Sequence, residues 1–200
     1  MKNYILIGVL GLFLATLGGV ASVAAFGISV NNGLIQKEET VNSAYAQVQN
    51  VYQRRMDLIP NLVEVVKGYA THEKDTLTQV AQARNQAAKI QLPANPTPEQ
   101  LKQYQEVQVG LGNALSRLMV VSEKYPELKA NEGFLRLQSE LEGTENRIAV
   151  ERKKFNDVTR EFNTSIKVFP NSFVASFRGM TSKPYFEADK DAKTAPKVKF

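Results

Sequence analysis

The chain has 200 residues, no Cys, no Trp, one His and a formal net charge of +5. The absence of Cys excludes disulfides, thiolate nucleophiles and Cys-ligated metal sites. A single His excludes the zinc and di-iron motifs that need two. Because the basic residues are spread along the chain, the composition also argues against a nucleic-acid partner.

The first predicted element is a membrane-spanning helix within residues 1–30. No charged residue occurs in the 27 positions from Tyr4 to Val30. About 20 apolar residues suffice to cross the hydrocarbon core, and this run is too long for a typical signal peptide. Small residues from Ala21 to Ala25 leave cleavage open as the alternative. We favour an uncleaved signal-anchor.

The flanking charges favour one orientation of this helix. Lys2 and the amino terminus precede it, and Lys37, followed by two glutamates, comes after it. The positive-inside rule counts the cations, so the bias is slight. It predicts a cytoplasmic N-terminus and a folded domain on the outer, periplasmic side.

Three small residues, Gly11, Ala15 and Gly19, recur four apart in this segment. Small residues at that spacing let two membrane helices approach closely. The pattern predicts a packing face for self-association. The alternative interpretation is that the segment is simply rich in Gly and Ala.

Residues 31–180 are predicted to form a helical domain. Asn31 to Gly33 read as a break, and a first helix should then run from Leu34 to about Lys89. Its apolar residues follow steps of three and four and stay in phase past Pro60. Since Pro removes one helical hydrogen bond, we predict a kink at Pro60 instead of a chain reversal.

The second predicted helix covers residues 98–125. Thr97 is a candidate N-cap, Pro98 takes the first helical position, and Gln100 stands where a capping box requires it. Pro126 ends the helix, and residues 127–130 should form a short turn.

The third long helix is predicted over residues 131–169. Its apolar residues recur at intervals of seven, which indicates packing in a left-handed supercoil: Phe134, Leu141, Ile148, Phe155, Phe162 and Phe169. One short helical segment is expected at Phe173–Phe177. Residues 181–200 lack periodicity and are predicted to be an extended or disordered tail.

The predicted fold is all-α, with an N-terminal transmembrane helix followed by a long antiparallel up-and-down helical bundle. The bundle has three long helices and a short C-terminal one. The second helix can cover only about half of the first. The remainder of the first helix must act as a stalk, pack on the membrane or pair with another chain.

Sequence signals for chemistry are poor. His72-Glu73 resembles the start of a zinc-protease motif, but the second His is absent. Glu142 and Glu145 have a spacing that usually marks a solvated helix surface. No nucleophile elbow or phosphate-binding loop is present. We therefore assign no catalytic or metal residue and no cofactor, and we predict a protein that is not an enzyme.

Charged residues interrupt the apolar stripes of two helices. Arg55 falls in line with Leu58 and Leu62, and Glu151 with Val158. Buried charges need partners, so we predict that Arg54 or Arg55 pairs with Glu145 or Glu151 and sets the register of the bundle. The alternative is that the long side chains extend to water.

Several motifs together resemble the LemA family. They are RRMDLIPNLV at 54–63, YPELKAN at 125–131, LEGTENRI at 141–148 and the ending Pro196-x-Val198-x-Phe200. Phe155, where the family often has Tyr, and the bulky stretch 176–179 depart from the pattern. The resemblance implies a bacterial inner-membrane protein with one span, a bundle of the four-helix type and no established enzyme activity.

These observations predict a scaffold or interaction module at the bacterial membrane. Its expected partners are the lipid bilayer, a second copy of the chain and an unidentified membrane or envelope protein. The alternative is a membrane-surface or lipid-remodelling protein that binds anionic headgroups through its basic tail and the Arg152–Lys154 cluster.

Overall fold

The computed structural model describes the backbone of residues 2–187 and the exposure of Gly11 and of the residues from Phe13 onward. This part of the chain contains six helices and no strand, which confirms the all-helical class. The helices are α1 (Lys2–Tyr69), α2 (Lys74–Lys89), α3 (Pro98–Ser122), α4 (Pro126–Lys129), α5 (Glu132–Ser165) and α6 (Asn171–Phe177).

The chain divides into two compact units, which are described separately. The first unit comprises the chain up to Val41 together with Arg160–Ser182. The second comprises Asn42–Thr159 and the chain from Lys183 onward. Helices α1 and α5 contribute residues to both units.

Helix α1 continues through the expected break at Asn31 to Gly33 and is 68 residues long. Asn and Gly each cost a helix interior up to ~1 kcal/mol relative to Ala. Burial next to them offsets this cost, because Leu34 is only 1% exposed. The helix also passes through Pro60 without interruption. The kink at Pro60 stays a prediction.

The prediction of one helix from Leu34 to about Lys89 is wrong, because the helix is interrupted at residues 70–73. The Ala70 N–H still donates to the Val66 carbonyl at 2.8 Å, and the Glu73 N–H then donates to the Ala70 carbonyl at 3.2 Å. Val66, Ala70 and Leu77 all enter the same core. The apolar pattern therefore stays in phase across the turn, and periodicity could not reveal it.

Helix α3 begins with the predicted capping box. Thr97 Oγ1 accepts from the Gln100 N–H at 3.2 Å, and Gln100 Oε1 accepts from the Thr97 N–H at 2.9 Å. Helix α2 packs against α3. The connection between them is short, as expected for antiparallel neighbours.

Helix α5 buries the first five residues of its seven-residue repeat. Phe134, Leu141, Ile148, Phe155 and Phe162 are between 0% and 8% exposed. The helix ends at Ser165, earlier than predicted, so the sixth residue of the repeat, Phe169, lies beyond it and is 86% exposed. A turn with a cis Phe169–Pro170 peptide bond leads into α6.

Each unit has its own buried residues. In the second unit the fully buried side chains include those of Val48, Tyr52, Ile59, Leu62, Leu111, Leu118, Leu128 and Phe134. In the first unit the buried apolar residues are Leu34, Val41, Phe162, Ile166 and Ala175.

The predicted tail is described only as far as Glu187. Residues 181–187 are not helical. Phe186 is 3% exposed, so this part of the tail packs on the second unit. Residues 188–200 lie outside the described residues, and the prediction for them is untested.

Candidate functional site

Helix α1 carries Arg55 into the interior of the second unit. The residue is 5% exposed. Its Nη1 lies 3.2 Å from Oε2 of Glu145 on α5, whose side chain is 59% exposed. The buried cation thus has a carboxylate partner that reaches water. Such a partner offsets the cost of removing a guanidinium from solvent.

Gly112 on α3 makes room for this guanidinium. A Cβ atom at position 112 would lie 2.9 Å from Nη2 of Arg55. That separation is too short for a carbon–nitrogen contact without movement. The α3 backbone therefore packs closely against the Arg55 side chain. Pattern reasoning missed this contact, because a Gly inside a helix carries no periodic signal.

A cavity of about 550 Å³ adjoins the Arg55–Glu145 pair. Residues of α1, α3 and α5 line it, among them Tyr52, Arg55, Gln105, Gln108, Gly112, Leu115, Leu141, Glu142, Glu145 and Arg152. Its two arginines and two glutamates balance in formal charge. The cavity therefore combines apolar walls with neutral amides and equal numbers of cationic and anionic side chains.

Buried tyrosines stand next to this cavity. The rings of Tyr52 and Tyr104 meet edge to face, with centroids 5.2 Å apart. Desolvation raises the pKa of Tyr104 far above its usual range, and the nearby Tyr52 and Tyr45 raise it further, while Gln108 and Arg55 oppose this. Desolvation likewise raises the pKa of Tyr45. These phenols stay protonated near neutral pH and cannot act as general bases.

Gln108 is the most deeply buried amide of the cavity wall, at 3% exposed. Its side chain is near the Tyr104 hydroxyl and lowers the pKa of that phenol. Neither amide atom, however, has a partner at hydrogen-bonding geometry. The Tyr45 hydroxyl is buried and unpaired in the same way. Buried polar groups without partners reduce the stability of the fold.

Side-chain amides hold the 183–187 segment against α3 and α5. Asn156 bonds both backbone groups of Phe186, at 2.8 and 2.9 Å. Gln105 bonds both backbone groups of Glu187, at 3.0 and 3.2 Å. The Phe186 ring meets the Phe155 ring edge to face, at 5.2 Å. The only signal in the sequence was an aromatic residue in a polar tail.

The other predicted site residues are more scattered. Arg54 is exposed, and Glu151 is partly buried with an Oε2 that accepts no hydrogen bond. Of the four predicted register residues, the structure thus brings Arg55 and Glu145 together. His72 lies in the turn before α2. Residues 2–187 contain no cluster of His, Asp and Glu able to hold a metal ion.

The Arg152–Lys154 cluster is largely engaged within the second unit. Arg152 Nη2 donates to the Glu187 carbonyl at 2.6 Å, and its guanidinium lies 5.5 Å from the centre of the Phe186 ring. Lys153 pairs with Asp157 at 3.2 Å. These contacts compete with headgroup binding by the cluster.

The N-terminal part of α1 exposes a continuous apolar surface. Within the described residues this is the one helix long and apolar enough to cross a membrane, and none of its most apolar window is buried. Seven large apolar side chains are at least half exposed there: Phe13, Leu14, Leu17, Val20, Val23, Phe26 and Ile28.

The predicted packing face of this helix has no neighbour among the residues that the structure describes. Gly11, Ala15 and Gly19 are all exposed. No atom would lie within 4 Å of a Cβ built at Gly11 or at Gly19. The face is therefore open to a second helix or to lipid.

Comparison with known proteins gives a family and several relatives. The profile of the LemA family matches residues 44–200. The chain is similar to magnetosome protein MamQ 2 of Paramagnetospirillum magneticum, at 25% identity over 192 residues, or 87% of this chain and 70% of the relative. It is also similar to protein LemA of Metamycoplasma hominis, at 23% identity over 157 residues, or 78% of this chain and 68% of the relative.

Proposed function

Because this chain belongs to the LemA family, we propose that it is a membrane-anchored helical-bundle protein that serves as a scaffold or interaction module and self-associates. In this proposal the uncharged N-terminal part of α1 is a single membrane span that is not cleaved. The second unit carries the surfaces that meet a membrane or envelope protein.

The observation that carries the proposal is the exposed apolar surface at the start of α1. Monomeric soluble proteins rarely expose contiguous apolar patches beyond a few hundred Å². The uncharged part of α1 has seven large apolar side chains that are exposed by half or more, and such a surface fits a lipid environment instead. The slight excess of cations before the helix supports a cytoplasmic N-terminus in the inner membrane of a bacterium.

A non-catalytic role is supported by the chemistry of the cavity. In its wall the buried Arg55 pairs with Glu145, and the tyrosines near it have raised pKa values. The relatives named MamQ are magnetosome proteins, and that association supports work at a membrane for this chain as well.

Self-association through Gly11, Ala15 and Gly19 is tested by the mass of the detergent-solubilised full-length protein. We expect an oligomer, because small residues let helix backbones approach closely. Gly19→Leu should shift the mass toward the monomer. Ala21→Leu is the matched control, since Ala21 is exposed and projects about 120° around the helix from Ala15, the centre of the proposed face, and it should leave the mass unchanged.

The mass of a truncated protein of residues 34–200, compared with that of the full-length protein, distinguishes the remaining outcomes. If the full-length protein is oligomeric and the shorter chain is a monomer, the membrane face is the assembly site. If both are oligomeric, the bundle itself is the scaffold. Two monomers would contradict self-association, and α1 would then be a stalk or a docking site for another protein.

A further inference from the structure

Three phenylalanines of the first unit are exposed, one in the turn after α5 and two on α6. Phe169, Phe173 and Phe177 are spaced by four and are 86%, 76% and 88% exposed. They are among the most exposed large apolar residues of the described chain. Ala175, on the same short helix, is only 2% exposed. Helix α6 is therefore amphipathic, with one side packed on the first unit and a second side of aromatic rings.

Helix α6 lies beside the end of the uncharged segment of α1. A cavity of about 380 Å³ lies between them. Its lining is mostly apolar, from Ala24, Gly27 and Ile28 of α1 and Phe173, Val174 and Phe177 of α6, and also includes Asn31 and Arg178. The exposed rings are thus continuous with the apolar surface of the membrane helix. A protein partner would need to cover both surfaces, whereas a bilayer meets both at once.

The length of the uncharged segment indicates the depth of this contact. The 27 residues from Tyr4 to Val30 form a helix about 40 Å long, at ~1.5 Å per residue. The hydrocarbon core is about 30 Å thick, so roughly seven residues extend beyond it. With the hydrocarbon core starting at Tyr4, those residues are Ala24–Val30, of which Ala24, Gly27 and Ile28 line the cavity with α6. This places α6 at the boundary between headgroups and acyl chains.

We propose that Phe169, Phe173 and Phe177 insert into the bilayer at this boundary, so that α6 is a second, interfacial membrane contact beside the α1 span. Helices that lie in the interface bury aromatic and aliphatic side chains there and keep basic residues among the headgroups. Lys167 and Arg178, both exposed, flank the three rings. The inference rests on the proposed anchoring of the chain by α1.

Single-tryptophan variants of the full-length protein test the proposal, because the chain has no Trp of its own. Phe177→Trp, reconstituted in phosphatidylcholine vesicles, should emit at shorter wavelength than in water. Its emission should fall several-fold when the lipids carry bromine near the headgroup end of the acyl chains, and less when the bromine lies near the chain end.

Two further variants serve as controls. Leu17→Trp lies within the uncharged segment and should be quenched most strongly by bromine near the chain end. Glu161→Trp occupies an exposed charged position of the same unit and should respond to the water-soluble quencher acrylamide instead.

The outcomes separate the inference from the anchoring proposal. If Leu17→Trp is quenched by lipid while Phe177→Trp is quenched only by acrylamide, the interfacial contact is wrong and the anchor stands. If neither is quenched by lipid, anchoring by α1 is wrong as well. If replacing all three phenylalanines by Ser lowers the mass of the detergent-solubilised protein, the rings pack against a second copy and the lipid assignment is overturned.

Discussion

Arg55 and Gly112 form a contact between two helices that depends on the absence of a side chain. The guanidinium is buried, bonded to Glu145, and lies where a Cβ of residue 112 would project. Four pairings of Arg54 or Arg55 with Glu145 or Glu151 were open from the sequence. Spacing alone could not select among them, because it does not reveal which side chains turn inward.

At this scale we predict that Gly112→Ala destabilises the second unit relative to Gly110→Ala. Gly110→Ala meets no atom within 4 Å and should gain up to ~1 kcal/mol from helix propensity. In Gly112→Ala the new methyl group would clash with the Arg55 guanidinium. This overpacking should cancel the gain in helix propensity and lower the free energy of unfolding by about 1–2 kcal/mol more, as is usual. Urea unfolding of both variants measures the difference. Equal stabilities would show that the Arg55 side chain moves aside freely.

The elements show where sequence patterns are informative and where they are silent. The start of α3 was predictable because a capping box is a local signal, and the buried face of α5 followed from its seven-residue repeat. The break between α1 and α2 was not predictable. Val66, Ala70 and Leu77 enter one core, so tertiary packing keeps the apolar phase while the backbone turns.

The end of α5 was mispredicted for a related reason. Phe169 continues the repeat of seven in sequence, yet the helix stops at Ser165 and the ring is exposed. Apolar spacing predicts burial only for as long as a neighbouring element covers the helix. The predicted end rested on the stop signal at Pro170, but the helix ends before that residue is reached.

At the scale of the elements we predict that the 183–187 segment depends on Asn156. Asn156→Ala removes two hydrogen bonds to the backbone of Phe186. Each is worth about 1 kcal/mol net, so local stability should fall by about 2 kcal/mol. Hydrogen exchange at Phe186 and Glu187 should accelerate accordingly.

The control for this prediction is Asn146→Ala. Asn146 is an exposed residue of the same type on the same helix, and its replacement should change stability by less than ~0.5 kcal/mol. If exchange at Phe186 is unchanged in Asn156→Ala, the packing of its ring on Phe155 holds the segment without these bonds.

The whole molecule combines an exposed apolar helix with an interior that contains ionisable phenols. Composition and hydropathy were sufficient to predict the first feature, because a long uncharged run is visible in one dimension. The second feature required the structure, since Tyr45 and Tyr104 occupy apolar positions and look like ordinary core residues. Burial in a water-excluded core is what distinguishes them.

This interior predicts that the second unit becomes unstable in alkali. Burial raises the folded-state pKa of Tyr45 and Tyr104 above the unfolded value, which is about 10. Their protonated forms are favoured by folding, so the stability is complete below pH ~10 and declines as the pH rises beyond it. Thermal unfolding between neutral pH and strong alkali measures the decline.

Tyr→Phe variants distinguish the loss of stability caused by ionisation of the buried tyrosines from other effects of high pH. Tyr45→Phe should flatten the decline and, because the Tyr45 hydroxyl is buried without a partner, should match or exceed the parent in stability at neutral pH. Tyr69→Phe, at a residue 40% exposed, is the control and should leave the decline unchanged. Identical profiles for both variants would refute the role of Tyr45.

The 183–187 segment is held through its backbone, and this affects which substitutions it tolerates. Asn156 and Gln105 bond only to the backbone of Phe186 and Glu187. Any residue with a free N–H can satisfy Gln105 at position 187, so that side chain can change freely, except to Pro. The constraint instead falls on two amide side chains far away along the chain. Homologous chains can therefore differ at position 187 while retaining the same docked path, whereas the buried Phe186 ring remains constrained by its packing on Phe155.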